Sequence, residues 1–232
     1  MAKVIRGVLQ AKTGIIIDEL YPQGRQLRGA CGYIALQLGL KIAERFPDWK
    51  WDGVIFRDLI PISGCGRQYT IDREGRFVNC SECGDNYDDR IVKTVATKNR
   101  MYKEIKEGRK YRLEIIIVEE EYQSDIIAII NTIEKGGGRI GKMTNNGHGL
   151  FGLREWNTGE ITPMVGDKWR LMSDAVMPEG EKYITAGKTV GDRHEKISLK
   201  VVSKGREINK RITGFGAGEY IGLGFGEIEI IT

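Results

Sequence analysis

The sequence lacks several things, and each absence removes a class of function. No apolar run is long enough to cross a bilayer and no signal peptide opens the chain, so a membrane protein is not expected and a cytoplasmic site is the default. Histidine occurs only at His148 and His194, which leaves imidazole chemistry two possible centres. Cysteine occurs at Cys31, Cys65, Cys80 and Cys83; an intracellular chain does not favour disulfides, so a disulfide scaffold is not expected. The net charge of +4 over 232 residues is too small by itself to announce a nucleic-acid ligand. There is no low-complexity segment.

What is present suits a globular chain of one large domain or two small ones: 29% charged residues and 41% hydrophobic ones. The cations are clustered. Seven Lys/Arg face two Glu between Lys98 and Arg112, and nine face three acids between Lys182 and Thr213. Such clusters suit a groove for a polyanion; the bland alternative is a solvated face.

Hydrophobic periodicity places the elements. Residues 2–11 alternate and read as a strand. Residues 25–46 read as a helix, with Leu27, Cys31, Ile34, Leu38, Ile42 and Phe46 on one face and Pro47 as the stop. Residues 54–62 read as extended, 68–79 as a hairpin, 91–99 and 109–120 as strands. Residues 125–135 read as a helix through Ile126, Ile130 and Ile133, and 148–156 as a strand. The order strand, helix, strand, strand, helix, strand is the α+β ferredoxin-like order, shared with RNA-recognition modules. Asn157-Thr158-Gly159 and Pro163 mark a boundary between residues 1–157 and a β-rich remainder, 158–232, of short strands.

Two glycine-rich stretches stand out. The first, EKGGGRIGKMTNNGHGLFG (134–152), holds Gly136, Gly137, Gly138, Arg139, Gly141, Lys142, Gly147, His148 and Gly149. Gly136, Gly141 and Lys142 have the spacing of a nucleotide-binding P-loop, but Met143 stands where a magnesium-holding Ser or Thr is needed, and a helix precedes the loop. A nucleotide is not expected. The second, GFGAGEYIGLGFGEIEI (214–230), surrounds Phe215, Tyr220 and Phe225 with Gly214, Gly216, Gly218, Gly222, Gly224 and Gly226. Glycine lets main-chain N–H groups converge on phosphate oxygens, and interleaved aromatics stack on bases. The alternative is a run of turns that needs glycine for geometry alone.

Cys80-Ser81-Glu82-Cys83-Gly84 is a C-x-x-C knuckle, a common zinc half-site, and Cys65 precedes a hairpin that can return it beside Cys80. The fourth ligand is Cys31, Asp85, a histidine or water; ordinary reduced cysteines remain the competing reading.

Along most of its length the chain resembles the RAMP superfamily, the repeat-associated RNA-binding proteins of CRISPR systems. PQGRQLRGACGY (22–33) is similar to the family's proline-led start of the first helix. EIKEGRKYRLEIII (104–117) resembles its basic strand, and WRLMSDAVMP (169–178) a segment of some effector members. The two glycine-rich stretches resemble its middle and terminal loops, the terminal one most specifically.

The resemblance implies one or two ferredoxin-like units and CRISPR RNA as ligand. An inserted knuckle at about 62–88, like one in some effector subunits, favours structural zinc. The implied function is a structural, guide-RNA-binding subunit of a multi-subunit CRISPR effector; the runner-up is a metal-independent endoribonuclease that processes precursor RNA. By resemblance the glycines of both loops shape the RNA site, with Arg139 and Lys142 on phosphates and Phe215, Tyr220 or Phe225 stacking. Arg25 and Arg28 meet the RNA backbone at the first helix. Processing members usually carry a histidine in or near that helix, and this chain has none there. The catalytic candidates for processing are His148 and Tyr33; some structural backbone subunits cut target RNA with an acidic loop residue, and the resemblance makes Asp18, before the first helix, the candidate for that role.

Overall fold

The computed structural model describes the whole chain except residues 18–20, 71–76, 88–91, 98–99, 143, 179–198, 203 and 232. The chain enters through β1 (Ala2–Ala11) and β2 (Ile15–Ile17), then α1 (Gly24–Leu38). Next come β3 (Val54–Phe56), β4 (Ile60–Ile62), β5 (Val92–Thr97), β6 (Arg100–Ile105) and β7 (Lys110–Ile117). Helix α2 (Gln123–Glu134), β8 (Gly138–Arg139) and β9 (Leu150–Ile161) follow. The remainder adds β10 (Met164–Leu171), β11 (Ala175–Pro178), β12 (Leu199–Val202), β13 (Glu207–Gly214) and β14 (Ile228–Ile230).

The main sheet has the order β3-β7-β1-β9-β8, with β4 also on β7, and every pairing in it is antiparallel. Its two faces are used differently. Ile5, Leu9, Leu113 and Ile115 point to the core that α1 and α2 cover. Val4 and Ile116 point the other way and form a smaller core with Ala2 and Ile55, against which Phe215 and Ile221 pack. Strand β7 accordingly alternates at first, with Tyr111 and Leu113 buried and Lys110, Arg112 and Glu114 half-buried, and becomes continuously apolar at Ile115–Ile117, where both faces are covered.

Helix α2 buries Ile126, Ile129, Ile130 and Ile133. Isoleucine costs a few tenths of a kcal/mol in helix propensity, but its burial contributes roughly 2 kcal/mol, so packing decides the conformation. Helix α1 buries Leu27, Cys31, Ile34 and Ala35 on the core side. It stops at Leu38, earlier than the periodicity predicts, because Gly39 turns left-handed at φ 63° and Leu40 N–H closes back to Ala35 O at 3.0 Å. Leu38 is consequently exposed, while Ile42 returns to the core from a 3-10 turn, Lys41–Glu44.

Other expectations need amendment. The extended segment 54–62 is two short strands on β7, separated by Arg57, Asp58 and Leu59. A hairpin of β5 and β6 carries β2 on its edge as a separate three-stranded sheet; the periodicity reading missed both β2 and β6. Thr70 N–H bonds Asn79 O and Val78 N–H bonds Thr70 O, so the two arms of the 68–79 hairpin meet, although its turn lies outside the described residues. Asn157, Thr158 and Gly159, read as a boundary, lie inside β9, which stays paired with β1 as far as Ile161. Part of the β-rich remainder expected over 158–232, residues 179–198, lies outside the described residues.

The C-terminal part forms a sheet of order β13-β10-β14 and a β11-β12 ribbon around a second core that includes Trp169, Leu171, Met177 and Ile208. The architecture is mixed α and β, with antiparallel sheets and few helices. Among the described residues no helix is long and apolar enough to cross a membrane.

The two parts meet at Asp58. Gly24 N–H, at the start of α1, donates to Asp58 Oδ1 at 2.8 Å. Helix α1 has no acidic residue in its first turn, so this carboxyl from the β3–β4 connection serves its positive end. Tyr21 OH lies 3.4 Å from Asp58 Oδ2, and Lys204 Nζ donates to Tyr21 OH at 3.2 Å. Burial pushes the Asp58 carboxyl up to about 7; the Gly24 N–H opposes that, Glu227 and Asp174 add to it, and Lys204 opposes it. The folded protein therefore holds this proton more tightly than the unfolded chain does. Its stabilising contribution is full below about pH 4 and disappears as pH rises through about 7. Melting temperature measured between about pH 5 and pH 8 should fall more steeply with pH in the wild type than in Asp58→Asn, which keeps the Oδ1 acceptor.

Candidate nucleic-acid interface

The middle glycine loop leaves α2, pairs briefly as β8 with β9, and folds onto β2. Gly138 sits under the Phe151 ring, and Lys142 N–H donates to Ile16 O at 2.7 Å. The loop closes where Ile140 N–H bonds Gly149 O at 2.8 Å. At Gly149, φ is 79° and a Cβ would run into Ile140 O, so only glycine fits there. Gly136, Gly137, Arg139, Gly141 and Gly147 are exposed, whereas Gly138 and Gly149 are buried. Arg139 Nη1 donates to the carbonyls of Thr144 (3.4 Å) and His148 (3.2 Å), so its guanidinium braces the loop while remaining exposed.

Tertiary folding adds two residues that the sequence reading did not select. Strand β6 brings Glu104 to the loop, with its Oε1 3.7 Å from His148 Nδ1. It also brings Tyr102, whose ring centroid is 4.6 Å from Lys142 Nζ. Both lie more than thirty residues from the loop in sequence, and the basic stretch that contains them was the only signal. That stretch is partly committed elsewhere: Arg109 lies 3.7 Å from Asp85 and Arg112 lies 3.0 Å from Glu227.

The terminal glycine loop is placed differently from the expectation. It is wedged between the two parts of the molecule, and its glycines serve close packing. Gly222 N–H donates to Asp52 Oδ1 at 2.7 Å. Gly224, with φ 91°, would place a Cβ 2.7 Å from Phe56 O and 2.9 Å from Gly24 Cα. Gly226 N–H bonds Asp174 O at 2.8 Å, and Ser173 Oγ donates to Gly224 O at 2.8 Å. Arg57, itself buried, donates to Phe215 O. Gly222, Gly224, Gly226 and Tyr220 are buried, so they form no RNA-facing surface. Gly214, Gly216 and Phe215 are half-buried, and Phe215 packs on the Val4 face of the main sheet.

Arg28 is the other correction. Its guanidinium is buried and donates to the carbonyls of Trp51 (3.0 Å) and Asp48 (2.6 Å), tying α1 to the following loop. It is unavailable to a phosphate. Arg25, three residues earlier, faces outward. Asp18 and His194 lie outside the described residues.

Beside Arg25 runs an apolar groove of about 610 Å³ along the outer side of α1. Gly29 and Gly32 keep its floor low, and Phe46 and Phe225 form walls. Tyr33, Leu36 and Trp49 line it while remaining 64%, 71% and 58% exposed. Tyr33 thus presents a ring to solvent.

Cys31 is fully buried in the core face of α1, where burial raises its thiol pKa, and it stands apart from the other three thiols. The Sγ atoms of Cys65, Cys80 and Cys83 lie within 4.8 Å of one another, a geometry that suits a metal ion. Hydrogen bonds from Ser63 and from the main chain at Cys83 and Glu82 lower the Cys80 thiol to about 6.

Gly224→Val should lower stability by about 3 kcal/mol or more, through the clash and the positive φ, measured by denaturant unfolding.

No protein-family model and no curated protein matches the sequence. Solved structures do resemble the fold. A chain of the Csm1–Csm4 cassette in complex with one ATP is 14% identical over 99% of both chains, with a TM-score of 0.50. A CRISPR-associated Cas6 protein is 14% identical over 100% of both, with a TM-score of 0.49. A chain of a type III-B Cmr-β complex bound to target RNA is 16% identical at a TM-score of 0.44, and the match spans 68% of this chain and 60% of that one. The end-to-end likeness to the Csm1–Csm4 chain shows a shared fold.

Proposed function

We propose that the chain is a guide-RNA-binding RAMP subunit of a multi-subunit CRISPR effector, built on a ferredoxin-like core. The order of β1, α1, β3/β4, β7, α2 and β9, with β7 and β9 flanking β1, supports that core. The observation that carries the RNA reading is the middle loop. It holds Arg139 exposed and Lys142 half-exposed on a glycine frame. Cations on such a frame meet a sugar–phosphate backbone, and the groove beside Arg25 offers Tyr33, Trp49 and Phe225 to bases, at about 1–3 kcal/mol per stacked base. The terminal loop contributes by fixing one wall of that groove. Other effector subunits, known here by resemblance alone, are the proposed protein partners.

Replacing Arg139 and Lys142 together by alanine should weaken RNA binding and flatten the slope of log K against log salt by roughly 1.4, the release expected for two single-strand phosphate contacts. An unchanged slope removes both residues from the contact surface.

The second reading, a precursor-processing endoribonuclease, has one observation in its favour: the Glu104 carboxylate lies 3.7 Å from His148 Nδ1, beside a candidate histidine base. In that chemistry His148 takes the 2′-hydroxyl proton. The freed oxygen attacks the adjacent phosphorus, the 5′-oxygen leaves with a proton from solvent, and a cyclic phosphate remains; Lys142 offsets the phosphorane charge. Incubation with repeat RNA in EDTA separates the readings. Specific cleavage that disappears in His148→Ala establishes the enzyme, whereas intact RNA bound with the wild-type salt slope leaves the structural role.

A further inference from the structure

The cluster of thiols lies outside the RNA surface and is not used by it. Cys65 and Cys80 Sγ are 3.6 Å apart. Two thiolates on one tetrahedral ion, each about 2.3 Å from the metal, stand about 3.8 Å apart, so the spacing is that of ligands around a shared ion. A disulfide requires about 2.05 Å.

The backbone shapes the same site from two directions. In the C-x-x-C turn, Gly84 N–H donates to Cys80 O at 2.9 Å and Cys80 N–H donates to Asp85 O at 2.8 Å. This hooks Cys83 back over Cys80. Cys65 comes from a different turn, closed by Gly66 N–H to Ser63 O (2.9 Å) and Ser63 N–H to Arg67 O (2.8 Å). That turn follows β4, which is held on the main sheet by β7. The three sulfurs therefore join a segment on the main sheet to one carried by the inserted hairpin.

We propose that Cys65, Cys80 and Cys83 bind one zinc ion, and that the ion fastens the 77–87 segment to the end of β4. Three thiols gathered at this distance suit zinc over the hard cations, which take oxygen. Each thiol loses its proton to solvent as its sulfur bonds the metal, so binding releases protons and weakens in acid. Ser63 Oγ, 3.1 Å from Cys65 Sγ and 3.2 Å from Cys80 Sγ, has one proton and is placed to donate it to one of the two thiolates. Asp85 is engaged by Tyr69 OH at 2.8 Å and by Arg109 at 3.7 Å, and it is not among the clustered ligands. The described residues thus supply three protein ligands, and a tetrahedral zinc with three such ligands takes a solvent molecule as the fourth.

The test needs no RNA. The whole chain, purified under reducing conditions, is assayed for zinc by elemental mass spectrometry and then exchanged with cobalt(II). One zinc per chain is expected, with thiolate-to-cobalt charge-transfer bands and intense tetrahedral d–d bands. Cys65→Ser and Cys83→Ser, both at exposed positions, should each lose the ion and the bands, with far-ultraviolet circular dichroism reporting that the fold persists. Cys31→Ala should keep both signals. The proposal is overturned if the wild type takes up neither metal after incubation with micromolar zinc, or if the cobalt spectrum is weak and octahedral. It is equally overturned if thiol titration finds Cys65 and Cys80 joined in a disulfide in the reduced preparation, or if folded Cys31→Ala loses the ion.

Discussion

The close approach of Gly224 to Gly24 is the contact on which the rest of the molecule depends. At this point the terminal loop meets the first residue of α1, with Phe56 O and Asp58 filling the space on either side. No side chain fits between the two backbones. The contact fixes the start of α1, the β3–β4 connection and the second core relative to one another. Asp58 accepts from Gly24 N–H, and its carboxyl is buried beside Asp174 and Glu227. A buried acid next to other acids tends to hold a proton, so the joint responds to pH.

The outward-facing chemistry follows from this joint. Helix α1 is anchored at Gly24 and clamped by Arg28 to the loop through Asp48 and Trp51, which fixes where its outer side lies. The groove owes one wall to Leu223 and Phe225, which are positioned by the same buried loop. The terminal loop is therefore a frame for the groove. The middle loop is the reverse case: its glycines close it on β2, and its cations remain at the surface.

Much of the fold was legible in the sequence because the elements of the main sheet carry strong periodic signals. The isoleucines of α2 recur at helical spacing, and β7 alternates before ending in three consecutive isoleucines, so both were found. The elements that escaped were short. Ile15–Ile17 and Arg100–Ile105 have too few residues for a period to emerge, and they exist as strands because they pair with each other and with β5. The end of α1 was missed because Gly39 looks like any other glycine in an apolar helix until its left-handed turn is seen.

For the site, composition singled out two glycine-rich loops and could not assign their roles. A glycine that admits a phosphate and a glycine that admits another stretch of backbone are the same residue under the same steric rule. Arg28 and Arg25 are likewise indistinguishable as letters, yet one is enclosed by carbonyls and the other faces solvent. The sequence by itself determined the order of the long main-sheet strands and the two helices, the two glycine-rich loops and three of the thiols as a group, because those depend on local spacing. Only the tertiary structure decided which loop is open, which arginine is buried and which carboxylate reaches His148. Those outcomes depend on which distant segments share one space, and no local pattern encodes that.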